Sequence, residues 1–124
     1  MSKLKILIVD DSLITVKKLT AMMETLGHDV VGTAGTGGTA LAAYRALRPD
    51  LVTMDITMPD MDGVEATRRI VADFPTARII MVTSHGQERM VIDALDAGAS
   101  GYVLKPIRAE KLADMIDKAL SRTF

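Results

Sequence analysis

Cysteine and tryptophan are both absent from this chain of 124 residues, and tyrosine and phenylalanine number only two each. The missing thiols exclude disulfides and thiolate-bound metals. The shortage of aromatics leaves little for stacking a flat cofactor. Neither sign of charge dominates, with 15 Lys and Arg against 16 Asp and Glu. No basic stretch marks a nucleic-acid partner and no acidic tail is present. No apolar run approaches the roughly 20 residues that span a membrane. The short apolar run after Lys5 is too brief for a signal peptide and lacks a small-residue cleavage site, so the expected location is the cytoplasm. Internal repeats, linkers and low-complexity segments are also missing, and the length suits one domain over residues 1–124.

What the sequence does have is alternation. Lys5-Ile6-Leu7-Ile8-Val9 is a continuous β-branched run that stops at Asp10-Asp11, the pattern of a strand buried on both faces. From Ser12 to Leu26 apolar residues recur at helical spacing, and Gly27 stops them. Asp29 to Gly32 reads as a weaker strand. Thr39 to Leu47 reads as a helix burying Ala40, Ala43, Tyr44 and Leu47 and ended by Pro49, with Gly35-Thr36-Gly37-Gly38 before it as a loop. That loop lacks the spacing of a phosphate cradle. Leu51 to Met54 is a third strand, ending at Asp55. Asp62 then offers a helix cap, with Glu65 placed to complete a capping box. Ile79 to Val82 is a fourth strand, ending at Thr83-Ser84, and a helix around Met90, Val91, Ala94 and Leu95 closes at Gly98. Tyr102 to Leu104 is a fifth, ending at Lys105-Pro106, and Leu112, Met115, Ile116, Ala119 and Leu120 mark a last helix. Nine methionines fall mostly within these periodic segments and read as core fillers. Strands alternating with helices imply a single α/β domain, a parallel sheet doubly wound by helices with right-handed crossovers.

The polar residues then fall in an informative place. Four apolar strands each hand over to a polar group at the carboxyl end: Asp10 and Asp11, Asp55, Thr83, and Lys105. Open parallel sheets bind ligands at those ends, so residues distant in sequence should share one cleft. Two carboxylates about 4 Å apart repel by roughly 4 kcal/mol at an effective dielectric of about 20. Either one stays protonated or a cation sits among them. All-oxygen donors beside a phosphoryl group suit Mg²⁺. Aspartate is a competent nucleophile toward phosphorus, Lys105 supplies a point charge and Thr83 a hydroxyl. Each residue also has a plainer reading: Asp10-Asp11 as a solvated helix cap, Thr83 as another cap, Lys105 as a surface lysine, Tyr102 as filler. His28 and His85 read as surface residues, since no convergent partners suggest a histidine metal site.

Taken together, Asp10-Asp11, Asp55 with Met58-Pro59 and Met61-Asp62-Gly63, Thr83-Ser84, and Tyr102 ahead of Lys105-Pro106 resemble the receiver domain of two-component response regulators. The resemblance covers essentially the whole chain. Residues 50–63 and 86–106 are most similar to chemotaxis regulators of the single-domain CheY type. The resemblance implies a five-stranded sheet of order 2-1-3-4-5 with five helices. It implies that Asp55 accepts a phosphoryl group from a phosphohistidine on a sensor histidine kinase. Asp11, Asp55 and the Thr57 carbonyl would bind Mg²⁺ directly, and Asp10 through water. Lys105 would pair with the phosphoryl group, Thr83 would hydrogen-bond it, and Tyr102 would follow Thr83 by changing rotamer. A cis Lys105-Pro106 bond is expected, and an output face on the fourth helix, fifth strand and fifth helix. Thr57 and His85 occupy the positions that tune phosphoryl lifetime. The implied protein is a monomeric switch and not an enzyme, with at most slow self-dephosphorylation, whose partners are the kinase, a flagellar motor switch protein and a phosphatase.

Three alternatives share parts of this pattern. A free-standing phosphorelay shuttle, or a receiver from another pathway, carries the same site. A phosphatase of the haloacid dehalogenase type places its nucleophile on the first strand with an acid two residues later; here Asp55 ends the third and Thr57 follows. A flavodoxin-type module needs a first loop rich in Ser, Thr and Gly, where Asp10-Asp11 would repel the flavin phosphate.

Overall fold

The computed structural model describes residues 3–84 and 88–121. Strands β1 (Lys5–Val9), β2 (Asp29–Ala34), β3 (Leu51–Asp55), β4 (Ile79–Thr83) and β5 (Gly101–Leu104) alternate with helices α1 (Leu13–Thr25), α2 (Gly37–Leu47), α3 (Gly63–Asp73), α4 (Glu88–Asp96) and α5 (Ala109–Ser121). All strand pairs are parallel, in the order β2-β1-β3-β4-β5. This is the order and class expected from the sequence. Among the described residues no helix is long and apolar enough to cross a membrane.

Side chains alternate across each strand, so the continuous apolar runs fill two cores. Leu7, Val9, Val52, Met54, Ile79 and Met81 pack under α2, α3 and α4 with Tyr44, Ile70 and Ala94. Ile6, Ile8, Leu51, Ile80, Val82 and Val103 pack under α1 and α5 with Leu19, Met23, Leu112 and Ile116. Full burial of side chains of this size stabilises by about 1.5–3 kcal/mol each.

Several details depart from the sequence reading, among them β2, which runs on past Gly32 to Ala34. Helix α2 begins at Gly37, not Thr39, because Thr36 caps it in a reciprocal box with Thr39; two glycines that look like a loop form its first turn. Asp62 does cap α3, its carboxylate accepting from Glu65 N at 2.8 Å. The box is only half made, since the Glu65 carboxylate turns to Arg68 and Arg69. Leu47, expected on a buried face, is partly exposed at the end of α2, where Arg48 leaves the helix with φ 46°. His28, expected at the surface, is buried; its Nδ1 accepts the Leu4 N–H at 3.2 Å and satisfies a donor at the amino end of the sheet. His85 lies outside the described residues.

Candidate functional site

The parallel register brings the carboxyl ends of β1, β3, β4 and β5 to one edge. Asp10 follows β1 directly; its N–H donates to Ala34 O at 2.9 Å, holding it on the line of the strand. Its side chain turns back so that Oδ1 accepts the Ser12 N–H at 2.9 Å, and Ser12 in turn caps α1 through Thr15 N. Asp10 is thus 3% exposed. Its Oδ2 makes no hydrogen bond and faces Lys105 Nζ at 3.4 Å. Asp11, one residue on, is exposed.

Asp55 is the last residue of β3, opposite Val82 in register and 7% exposed. Lys105 Nζ lies 3.5 Å from its Oδ1. Burial, then the charge of Asp10, push the Asp55 carboxyl up to about 6, against the pull of Lys105 and with a further push from Asp11. One lysine therefore does not neutralise the cluster. Asp10, Asp11 and Asp55 each offer an oxygen within 4.8 Å of the others. A buried carboxylate oxygen with no hydrogen bond, an all-oxygen donor set and a negative charge that Lys105 does not cancel together suit a small, hard divalent cation.

Lys105 is set by its backbone: its N–H donates to Thr83 O at 2.7 Å, and the Lys105-Pro106 bond is cis, as expected. Thr83 ends β4 with its side chain almost fully enclosed, its hydroxyl donating to Ser84 O at 3.3 Å. Tyr102 opposes Met81 across β4 and β5 and is 40% exposed. With Thr83, Val91, Ile92, Leu95 and Leu104 it lines a groove of about 340 Å³ between α4 and β5.

Thr57 sits two residues past Asp55 on the β3–α3 connection, its side chain exposed. That connection is closed tightly by Gly63 N donating to Ile56 O at 2.6 Å. A Cβ on Gly63 would stand 2.1 Å from the Asp55 carbonyl oxygen, so only glycine permits the approach. The fold thus gathers Asp10, Asp11, Asp55 and Lys105 into one cluster, with Thr83 at the neighbouring strand end and Tyr102 across the groove. Sequence reasoning gave Gly63 no role of its own and passed over Ser12 and Asp60; only the Met61-Asp62-Gly63 stretch carried a signal for any of them.

Comparison with known proteins follows the same lines. Residues 6–117 match the family model described as the response regulator receiver domain. The chain is 43% identical over 117 residues to the chemotaxis protein CheY of Bacillus subtilis, covering 94% of this chain and 98% of that protein. It is also 40% identical over 116 residues to the response regulator protein VraR of Staphylococcus aureus, covering 93% of this chain but 56% of that one. Among solved structures, CheY in the CheX-CheY-BeF₃-Mg²⁺ complex from Borrelia burgdorferi superposes with a TM-score of 0.90 at 36% identity, covering 95% of this chain and 90% of that one.

Proposed function

The chain belongs to the response regulator receiver family, and from that we propose that Asp55 accepts a phosphoryl group from a phosphohistidine on a sensor histidine kinase. The observation that carries this reading is the convergence of Asp10, Asp11 and Lys105 on the Asp55 carboxylate at the end of β3. An Asp55 oxygen forms the new P–O bond as the P–N bond to histidine breaks and the ring nitrogen takes back the electron pair. Asp10, Asp11, Asp55 and the Thr57 carbonyl would hold Mg²⁺, which neutralises charge on the phosphoryl oxygens when bound; a solved relative carries Mg²⁺ and BeF₃ together. Lys105, held to the β4 end by its backbone, meets a phosphoryl oxygen as a point charge.

Thr83 and Tyr102 read the charge. The Thr83 hydroxyl leaves the Ser84 carbonyl for the phosphoryl group, and Tyr102 follows into the groove beside it. Moving a population from mostly off to mostly on takes about 5.5 kcal/mol of differential interaction, much of which a charge-assisted Lys105 pair and a Thr83 hydrogen bond supply. The exposed Ile92, Tyr102 and Leu104 give the output face apolar surface. The protein works in the cytoplasm as a monomer, loses its phosphoryl group slowly unless a phosphatase acts, and signals to a flagellar motor switch protein. CheY-like identity over nearly the full length favours that output; the VraR match shows that the same domain also serves other regulators.

Incubation with Mg²⁺ and acetyl phosphate should yield an acid-stable, base-labile acyl phosphate that Asp55→Asn loses; no incorporation from any phosphodonor would sink the reading. A motor-switch peptide should bind the phosphorylated protein more tightly than the unmodified one. Equal affinity would instead assign the domain to a phosphorelay shuttle or another pathway.

A further inference from the structure

The glycine-rich stretch before α2 cradles an anion after all, and the anion belongs to the chain itself. Gly37 and Gly38 are the first two residues of α2, and their N–H groups have no partner within the helix. Both point at Asp60, on the β3–α3 connection. Asp60 Oδ1 accepts from Gly37 N at 2.8 Å and Oδ2 from Gly38 N at 2.9 Å. Oδ1 also accepts the Met61 N–H at 2.8 Å. Thr36 takes the next amide, that of Thr39. A carboxylate at a helix amino end is the favoured sign of charge, and the hydrogen bonds from Gly38 and Gly37 hold Asp60 below the usual carboxylate range.

The glycines ease the approach. A Cβ on Gly37 would fall 2.2 Å from Met61 Cγ, and one on Gly38 would stand 3.3 Å from Asp60 Oδ2. The connection between β3 and α3 is therefore pinned at three points: Gly63 to Ile56 beside Asp55, Asp62 to the first turn of α3, and Asp60 to the first turn of α2. Thr57 lies between the first pin and the third.

We infer that Asp60 is a positioning residue for the metal site: by clasping Gly37 and Gly38 it holds the β3–α3 connection, and with it the Thr57 carbonyl, in register with Asp11 and Asp55. The inference rests on the reading that these groups bind Mg²⁺. Partners that orient metal ligands without touching the metal typically govern affinity as strongly as some ligands do.

The test is Mg²⁺ affinity without any phosphodonor, measured by calorimetry well below the melting temperature, beside the melting temperature of the metal-free protein. Asp60→Ala should weaken Mg²⁺ binding about 10-fold. Gly38→Ala pushes on the same carboxylate while improving the helix propensity of that position. It should weaken Mg²⁺ binding to a smaller degree without lowering the melting temperature, a combination that a simple helix cap would not produce. Wild-type Mg²⁺ affinity in a folded Asp60→Ala protein overturns the inference and leaves Asp60 as a cap. Should Asp60→Ala fail to fold, wild-type affinity in Gly38→Ala overturns it. A wild-type protein that binds no Mg²⁺ overturns the functional reading, and this inference falls with it.

Discussion

Lys105 Nζ stands 3.5 Å from Asp55 Oδ1, yet the Asp55 carboxyl still rises to about 6. The desolvation of a strand-end carboxylate and the charge of Asp10 outweigh the pull of Lys105. Most of what can be tested about the site follows from that imbalance.

Stability of the metal-free protein should carry the mark of Asp55. Its folded carboxyl holds a proton more tightly than an unfolded one, being raised from 3.8 to about 6. The folded state thus binds more protons across this window, and stability must fall as pH rises from about 4 through about 6. The two-unit shift corresponds to about 3 kcal/mol, reduced to about 2 kcal/mol by residual solvent contact. Urea melts in a chelator at pH 4.5 and 7.5 should show that slope in the wild type and a flatter one in Asp55→Asn. Parallel slopes in the two proteins would refute the assignment.

Mg²⁺ should reverse the penalty. A ligand present at about 100 times its dissociation constant stabilises by about 2.7 kcal/mol. Thermal melts at pH 7.5 should therefore rise with Mg²⁺ and fall back with chelator. Asp55→Asn, already relieved of one charge, should start higher without metal and gain less from it.

Lys105→Ala removes the cation shared by Asp10 and Asp55. Two mostly buried carboxylates then face each other unpaired. A loss of about 2 kcal/mol at pH 7.5 is expected, smaller than for a fully buried pair because Lys105 keeps some contact with water. The loss should shrink at pH 5, where Asp55 is protonated. A carbon-detected NMR titration should place the Asp55 midpoint above its wild-type value.

Thr83→Ala should separate receipt of the signal from its output. Thr83 is 1% exposed and ends β4 beside the Lys105 backbone. The variant should still form the Asp55 acyl phosphate, while phosphorylation no longer changes affinity for the output partner. Normal output from Thr83→Ala would move the switch elsewhere.

Gly63→Ala tests the tight closure behind Asp55. The new Cβ would meet a main-chain carbonyl oxygen that has no rotamer to escape into. A destabilisation of about 3 kcal/mol is expected, readable as a lowered denaturant midpoint.

The strands were legible because they are buried on both faces: Ile6 to Val9 and Ile79 to Val82 leave no alternative to a central parallel position. The acids were legible for the same reason, since Asp10 and Asp55 each break such a run. What escaped was set by contacts remote in sequence. Gly37-Gly38 read as a loop because the carboxylate that joins the Thr36–Thr39 box in making them a helix start belongs to Asp60. His28 read as a surface residue because the donor it satisfies, Leu4 N, lies on the other side of α1 in sequence. Glu65 matched a capping-box pattern, but Arg68 and Arg69 compete for its carboxylate on the helix surface. Local pattern carries no record of such rivals.

The strand order decides when the charge balance of the cluster is complete. Asp10 and Asp55 stand on neighbouring strands near the middle of the sheet, but Lys105 arrives only with β5, the last strand at one edge. Until β5 docks, the acids at the ends of the paired strands β1 and β3 lack the lysine that completes the cluster. The charge balance of the site is therefore set by the last strand to join the sheet.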